Sequence, residues 1–386
     1  MKKLTAVKNA QLVLENGIVW DAVLLIKDGK IAEYGSHRDV VIPDEAQVID
    51  ACGAYVGPGF VDIHVHGGNG KQAPSEPNEV YKHFVRHGET SLLITLGYRM
   101  LVDEYLKSFE ITREAMKVNK GLKGIYMEGP FINTKYGANA NLNPWHGGIP
   151  DDVMRTIVEN AGDMVRVWAM APEREDIMNF VTYAREMNPD CVFSIGHTQT
   201  TPAQVRALGT KYRPKLITHF GDATGRIPTY GGTRGYGPDE YCLSDPEMYA
   251  ELISDSCGVH VHPDNQKMLV NCKGYERIVL ITDSTAVNNP APENLKHVTD
   301  INFDPRGGIC GSKLTMDMAC RNIMTHTNCG IAQAFVMASL NPAKIIGMDD
   351  KIGSIEKGKI ADLVFVDDKF NVQKVMLEGE ICKFEE

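Results

Sequence analysis

Residues 55–66 read YVGPGFVDIHVH, an apolar run that closes on two histidines. His64 and His66 lie two positions apart, so on a β-strand both side chains point the same way. Four further apolar runs also close on a side chain that can bind a metal or carry a proton. These four are Glu128, His197, His219 and Asp283. Buried strands that end in this way predict a parallel barrel, whose active site lies at the carboxyl ends of its strands.

Apolar runs predict eight buried strands, at residues 55–65, 91–96, 124–128, 164–170, 191–196, 215–219, 257–261 and 277–283. Amphipathic segments predict helices between and after them, at residues 79–87, 103–119, 176–187, 201–208, 263–272, 316–327 and 331–339. Eight strand–helix units within about 290 residues favour an α/β fold of the (β/α)8 TIM type over an open doubly wound sheet.

The two ends of the chain have a different sequence pattern. Short alternating runs are separated there by turns such as ENG and KDGK, which predict β-hairpins with one exposed face. We therefore expect the barrel at residues 55–348, flanked by β-structure at residues 1–54 and 349–386.

Composition excludes several classes of protein. A net charge of −10 without a long basic block argues against nucleic acid as a partner. No apolar window is long enough for a signal peptide or a membrane span. The nine cysteines form no CxxC pair and are expected to be reduced. These features predict a cytoplasmic, soluble protein without nucleic acid or a membrane as its partner.

Each of the six side chains at strand ends has an ordinary explanation when taken alone. A paired histidine motif can lie on a surface, a buried histidine can be a satisfied core residue, and a carboxylate can cap a helix. Together, at one rim, they indicate metal-assisted hydrolysis. A divalent ion acidifies water, and a neighbouring carboxylate, here Asp283, accepts the proton.

The motifs PGFVDIHVHG, MEGPFIN, GHTQTTPAQVRAL, THFGDA, DSCGVHVHP and LITDSTA extend over nearly the whole chain. With them the chain resembles the amidohydrolase superfamily and, within it, the N-acetylglucosamine-6-phosphate deacetylase family. The resemblance implies a barrel with a small β-sandwich built from both chain ends, usually in a homodimer. It also implies hydrolysis of the N-acetyl group of an amino-sugar 6-phosphate.

The resemblance further implies a role for each site residue. The principal ion would be held by Glu128, His197 and His219. A second ion would be held by His64 and His66, giving one or two divalent ions per chain, with Zn²⁺ expected and Fe, Mn, Co or Ni as alternatives. Asp283 would act as the general base and then as the acid. Substrate contacts would come from His260, Asn139, Asp222, Ala223 and Arg226, the last binding phosphate across the dimer with Arg234 as its rival.

Two positions depart from the family. The family carries a Gly-x-His whose imidazole polarises the acetyl carbonyl, whereas this chain reads Gly137-Ala138-Asn139. The family also reads Asn-Ala where this chain reads Asp222-Ala223, and an unpaired carboxylate there would repel an anion. An amidohydrolase of different substrate, such as a deaminase or another N-acyl hydrolase, therefore stays open. The alternative from another class is a non-catalytic binding relative.

Overall fold

The computed structural model describes residues 4–227, 229–233 and 235–384. Both ends of the chain contribute to one eight-stranded sheet. Its strands are Leu4–Leu14, Gly17–Lys27, Lys30–Ser36, Gln47–Asp50, Tyr55–Pro58, Leu363–Val366, Val372–Leu377 and Glu380–Ile381. Tyr55–Pro58 joins the two ends, because it pairs parallel with Leu4–Leu14 and antiparallel with Leu363–Val366. A separate β unit from both chain ends therefore stands beside the barrel.

The barrel predicted from the sequence is confirmed. Its eight parallel strands are neighbours in chain order: Phe60–Val65, Glu89–Gly97, Leu122–Glu128, Val165–Met170, Val192–Ile195, Leu216–Ile217, Tyr249–Ile253 and Ile278–Ile281. The last strand returns to the first, since the Asp283 amide donates to the His64 carbonyl at 3.0 Å and the His66 amide donates to the Ser284 carbonyl at 2.9 Å. All six residues of Phe60–Val65 are buried, as expected for a strand covered on both faces.

The predicted first barrel strand at residues 55–65 is in fact two strands. The chain changes partners at Gly59, whose amide donates to the Asp362 carbonyl, while the Phe60 amide donates to the Gly88 carbonyl. A side chain at residue 59 would collide with Thr90. The chain therefore passes from the terminal sheet into the barrel within one continuous apolar run.

The prediction of a strand at residues 257–261 is wrong. The seventh strand is Tyr249–Ile253, and residues 257–261 form a turn held by Asp255. The Asp255 carboxylate accepts from the amides of Cys257, Val259 and His260 at 2.9–3.1 Å. The true strand was missed because it carries a glutamate, Glu251, within its apolar run.

The helices cover the outside of the barrel. They are Pro77–Phe84, Val102–Val118, Asp151–Ala161, Ile177–Met187, Pro202–Ala207, Pro238–Ser244, Pro263–Lys273, Met316–Thr327, Ile331–Phe335 and Asn341–Ile345. The predicted helix at residues 331–339 is α-helical only to Phe335 and continues as a π-helix, Val336–Leu340. Within the described ranges, no helix has the length and apolar character that a membrane crossing needs.

Candidate metal centre and active site

The six residues predicted from strand ends lie together at the carboxyl-terminal mouth of the barrel. All of them except His66 are buried. His64 lies in the first strand, His66 directly follows it, and Glu128 ends the third strand. The other three, His197, His219 and Asp283, each follow a strand by two residues. The sheet topology therefore gathers side chains as far apart in sequence as residues 64 and 283 into one cluster.

Three of these residues have a left-handed backbone. The φ angles are +47° at His197, +28° at His219 and +46° at Asp283. Residues other than glycine rarely adopt this region, and such strain persists only where the surrounding structure enforces it. The chain thus leaves the fifth, sixth and eighth barrel strands through constrained turns at the residues that carry the predicted chemistry.

The first ligand group is centred on Glu128. Its Oε1 atom lies 2.8 Å from His197 Nε2 and 3.2 Å from His219 Nε2, and the two imidazole nitrogens are 3.0 Å apart. Three donor atoms that converge this closely on one point suit a divalent cation, which accepts a lone pair from each. Glu128, His197 and His219 therefore form a candidate metal site.

The second ligand group shares Glu128. Its Oε2 atom lies 3.3 Å from His66 Nε2, which is also 3.4 Å from Asp283 Oδ1. His64 Nε2 is buried and has no hydrogen-bond partner in the described part of the chain, although it lies 3.6 Å from Glu128 Oε1. A buried imidazole nitrogen left without a partner is costly, and a bound cation would satisfy it. The donor set thus fits one ion or two.

The electrostatics of the cluster favour a cation. Burial would raise the pKa of Glu128, but the facing charges of His197 and His66 hold it well below its usual range. Burial lowers the pKa of His64, yet the neighbouring carboxylates of Glu128 and Glu251 outweigh that effect and raise it. Carboxylates here stabilise positive charge among the imidazoles, and a divalent ion can supply that charge in place of protons.

A cavity of about 560 Å³ opens above the cluster. It is large enough for a small polar ligand such as a sugar phosphate. Four of the five predicted substrate-binding residues line it: Asn139, Asp222, Ala223 and His260. Asp283 lines the same cavity and so lies between the candidate metal centre and the space for a substrate.

Asp222 is paired. Its Oδ2 atom lies 2.7 Å from His260 Nδ1. Burial lowers the pKa of His260, but the Asp222 carboxylate raises it to about 9. The carboxylate that the sequence presented as a source of repulsion instead keeps a neighbouring imidazole protonated.

Asn139 lies in a tight loop with φ +53°. Its side-chain amide has no hydrogen-bond partner among residues 4–227, 229–233 and 235–384, so it is available to a ligand in the cavity. The loop is held by Tyr98, which donates to the Ala138 carbonyl at 2.6 Å and packs its ring 5.1 Å from that of His197. Asn139 thus occupies the cavity wall, where it can donate a hydrogen bond but cannot carry a charge.

Arg226 does not line the cavity formed by a single chain. Its side chain is 57% exposed and lies 3.7 Å from Glu240, on the long loop that follows His219. Its rival Arg234 lies outside the described residues.

Two residues of the site were missed in the sequence. Arg99 follows the second barrel strand and is the one Lys or Arg that lines the cavity within the described ranges; it has no ion pair or hydrogen bond there. Its position after the run LLITLGY was the available signal. Glu251 contacts one histidine of each ligand group, His64 and His219. It lies in the strand Tyr249–Ile253, which the sequence pattern did not predict.

The fold and the site together define a barrel hydrolase whose centre can hold divalent metal. The sequence model of the amidohydrolase family matches residues 254–382. The chain is 29% identical to the N-acetylgalactosamine-6-phosphate deacetylase of Escherichia coli O157:H7, covering 97% of this chain and 98% of that protein. It is 36% identical over 149 residues to a shorter Escherichia coli (strain K12) protein that carries the same name provisionally, covering 37% of this chain and 87% of that protein.

Solved structures agree on the fold. The N-acetylglucosamine-6-phosphate deacetylase of Pasteurella multocida superposes with a TM-score of 0.85 at 23% identity, covering 98% of this chain and 99% of that one. The chain belongs to the amidohydrolase family and is a hydrolase of carbon–nitrogen amide bonds.

Proposed function

We propose that the chain is a metal-dependent deacetylase that removes acetate from an N-acetylated amino-sugar 6-phosphate, with N-acetylglucosamine 6-phosphate as the first substrate to test. The observation that carries the proposal is the position of Asp283. It lies 3.4 Å from His66 and lines the cavity that also contains the predicted substrate residues. The names of the relatives support the substrate class.

The metal would be held by Glu128, His197 and His219, with His64 and His66 completing a second site. A bound divalent ion acidifies water and polarises a carbonyl group. Imidazole and carboxylate donors suit Zn²⁺, and they also accept Fe, Mn, Co or Ni. We propose that the protein is cytoplasmic.

Asp283 would transfer the proton. Its carboxylate accepts a proton from the attacking water as the new C–O bond forms, and it returns that proton to the nitrogen as the C–N bond breaks. The products are acetate and the free amine, so the carboxylate is regenerated. Asp283 lies between the ligand groups and the cavity, and this position suits both steps. The water oxygen and the leaving nitrogen are bonded to the same carbon, so one carboxylate can reach both.

Charged groups in the cavity suit an anionic substrate. The pKa of His260, raised to about 9 by Asp222, keeps the imidazole a cationic donor at neutral pH. Arg99 adds a guanidinium on the cavity wall that has no ion pair in the described part of the chain. In a homodimer, Arg226 of one chain would reach the phosphate bound by the other. The two relatives named above are deacetylases by name, so they favour neither a deaminase nor a non-catalytic binding protein.

The proposal is tested by incubating the metal-loaded protein with N-acetylglucosamine 6-phosphate and, separately, with its galacto epimer, and by assaying acetate and ammonia. We expect acetate from at least one epimer and ammonia from neither. Ammonia without acetate would overturn the deacetylase in favour of a deaminase. The ratio of kcat/KM for the two epimers identifies the sugar.

A further inference from the structure

Glu251 is a fully buried carboxylate in the middle of the seventh barrel strand, Tyr249–Ile253. Burying a charge there is costly unless hydrogen bonds compensate it. Its Oε2 atom lies 3.1 Å from His64 Nδ1 and also 3.1 Å from the backbone nitrogen of His219. A single oxygen thus contacts one member of each of the two ligand groups. Glu251 does not line the cavity, so it can act only through these histidines.

The contact with His64 sets the state of that imidazole. A carboxylate oxygen accepts, so Nδ1 is the nitrogen that donates a hydrogen bond to Glu251, and in the metal-bound state Nε2 is left to offer its lone pair. That Nε2 atom is buried without a hydrogen-bond partner in the described ranges and lies 3.7 Å from Asp283 Oδ1. Carboxylates commonly orient metal-binding histidines in this manner, and they make the ligand nitrogen more basic.

The contact with His219 holds a strained turn. His219 has φ +28°, and its amide donates to Glu251 Oε2. The following amide, that of Phe220, donates to the Glu251 carbonyl at 2.8 Å. Two successive backbone donors of the turn therefore end on one residue. This arrangement aims the His219 imidazole at Glu128 and His197.

We propose that Glu251 is a positioning residue that holds ligands of both candidate metal sites in place. It does so by fixing the tautomer of His64 and the left-handed backbone of His219. The inference rests on the proposed metal-dependent function. It goes further, because it assigns the geometry of both ligand groups to one carboxylate that touches neither the substrate cavity nor the ions.

The test compares Zn²⁺ binding to the full-length protein with Glu251→Leu and Glu251→Gln variants. Competition with a chromophoric chelator gives the dissociation constants, and elemental analysis gives the number of ions. We expect Glu251→Leu to weaken binding 10- to 100-fold, as on loss of other carboxylates that orient ligands. Glu251→Gln should lose less, since its amide oxygen can still accept both hydrogen bonds without the charge.

Glu89→Gln is the matched control. Glu89 is equally buried, lies on the second barrel strand and accepts a backbone hydrogen bond from Met316 at 2.6 Å. Like Glu251, it has one oxygen without a partner among the described residues. It contacts none of the candidate ligands. A merely structural role for Glu251 predicts equal losses of thermal stability in the two glutamine variants and no difference in Zn²⁺ affinity.

The outcomes separate the two proposals. A wild-type protein that binds no ion overturns the proposed function itself. A wild-type protein that binds ions, with a Glu251→Gln affinity equal to that of Glu89→Gln, overturns only the role of Glu251. If Glu251→Leu fails to fold, the glutamine pair decides alone. A wild type with a single ion still tests the role, because His219 belongs to the principal group.

Discussion

Asp283 stands within 3.4 Å of His66 and 3.7 Å of His64 and faces the cavity. Asparagine at this position keeps the shape of the side chain but cannot accept a proton. We expect Asp283→Asn to lower kcat on the order of a hundred- to ten-thousand-fold, the usual range for a general base, while metal content stays unchanged.

Acetate release and elemental analysis measure the two effects. The control is Asp304→Asn, which also lies on the cavity wall but whose Oδ1 only accepts the amides of Arg306 and Gly308. Unaltered turnover in Asp283→Asn would contradict the role of this residue.

The ion pair of Asp222 and His260 predicts a pH dependence. The Asp222 carboxylate raises the pKa of His260 to about 9, so the imidazole is protonated at neutral pH and loses its charge as the pH rises through 9. Asp222→Asn removes that stabilisation, while burial still disfavours the charged ring. We therefore expect the alkaline limb of kcat/KM to move from about pH 9 toward neutrality. An alkaline limb at the same pH in both proteins would show that His260 does not set it.

Arg99 predicts a selective effect on anionic substrates. Its guanidinium lines the cavity without an ion pair in the described ranges, so a phosphate can take it as a partner. We expect Arg99→Ala to raise KM for the sugar phosphate on the order of tenfold, with kcat little changed, since charge-assisted hydrogen bonds are worth about 1.5–3 kcal/mol.

The same amino sugar without its phosphate provides the contrast, because its KM should be the same in the wild type and in Arg99→Ala. Arg38→Ala, an exposed arginine outside the barrel, is the matched control. A parallel rise of KM for both substrates would place Arg99 away from the phosphate.

Among the larger elements, the loop from residue 136 to residue 148 depends on one glycine. Gly137 has φ +112°, and a Cβ atom there would lie 2.5 Å from the Tyr98 hydroxyl and 2.7 Å from His197 Nδ1. We expect Gly137→Ala to displace this loop and lower kcat/KM at least about tenfold, because small shifts of positioning groups cost that much.

Gly147→Ala provides the matched control within the same loop. A Cβ atom at Gly147 has nothing within 4 Å. Kinetics and the melting temperature should match the wild type in this variant. Equal activities of the two alanine variants would show that the loop accommodates the added methyl group.

The barrel strands illustrate why elements were predicted unevenly. Strands with uninterrupted apolar runs, such as Ile278–Ile281, were found because burial on both faces leaves a local pattern. Tyr249–Ile253 was not found, because its glutamate is stabilised by partners 187 and 32 positions away. Residues 257–261 looked like a strand, yet the Asp255 carboxylate folds them into a turn.

At the scale of the whole molecule, the ligand groups couple metal binding to folding. The cluster draws on five of the eight barrel strands, so a bound ion links segments from both halves of the chain. An ion that binds only the folded state adds about 2.7 kcal/mol when its concentration is 100 times Kd.

We therefore expect chelation to lower the melting temperature by several degrees, and added Zn²⁺ to restore it. Differential scanning calorimetry on the same sample measures both steps. A His66→Ala and His197→Ala double variant should be insensitive to the chelator. A melting temperature that does not respond to the chelator in the wild type would contradict a metal-stabilised barrel.

The sequence by itself determined the barrel and the six side chains at its mouth. Both are local in origin, since a buried parallel strand is an apolar run and its carboxyl end is the residue at which that run stops. The sequence also placed Asn139 and Asp222 where the chain departs from its relatives.

Only the tertiary structure decided what these residues contact. It paired Asp222 with His260 and placed Glu251 against His64 and His219. It also placed Arg99 on the cavity wall, without an ion pair to any described residue. These contacts join residues on different strands and loops, and no periodicity along the chain encodes them. The free energy of a buried charge depends on partners that only the closed barrel brings within about 3 Å.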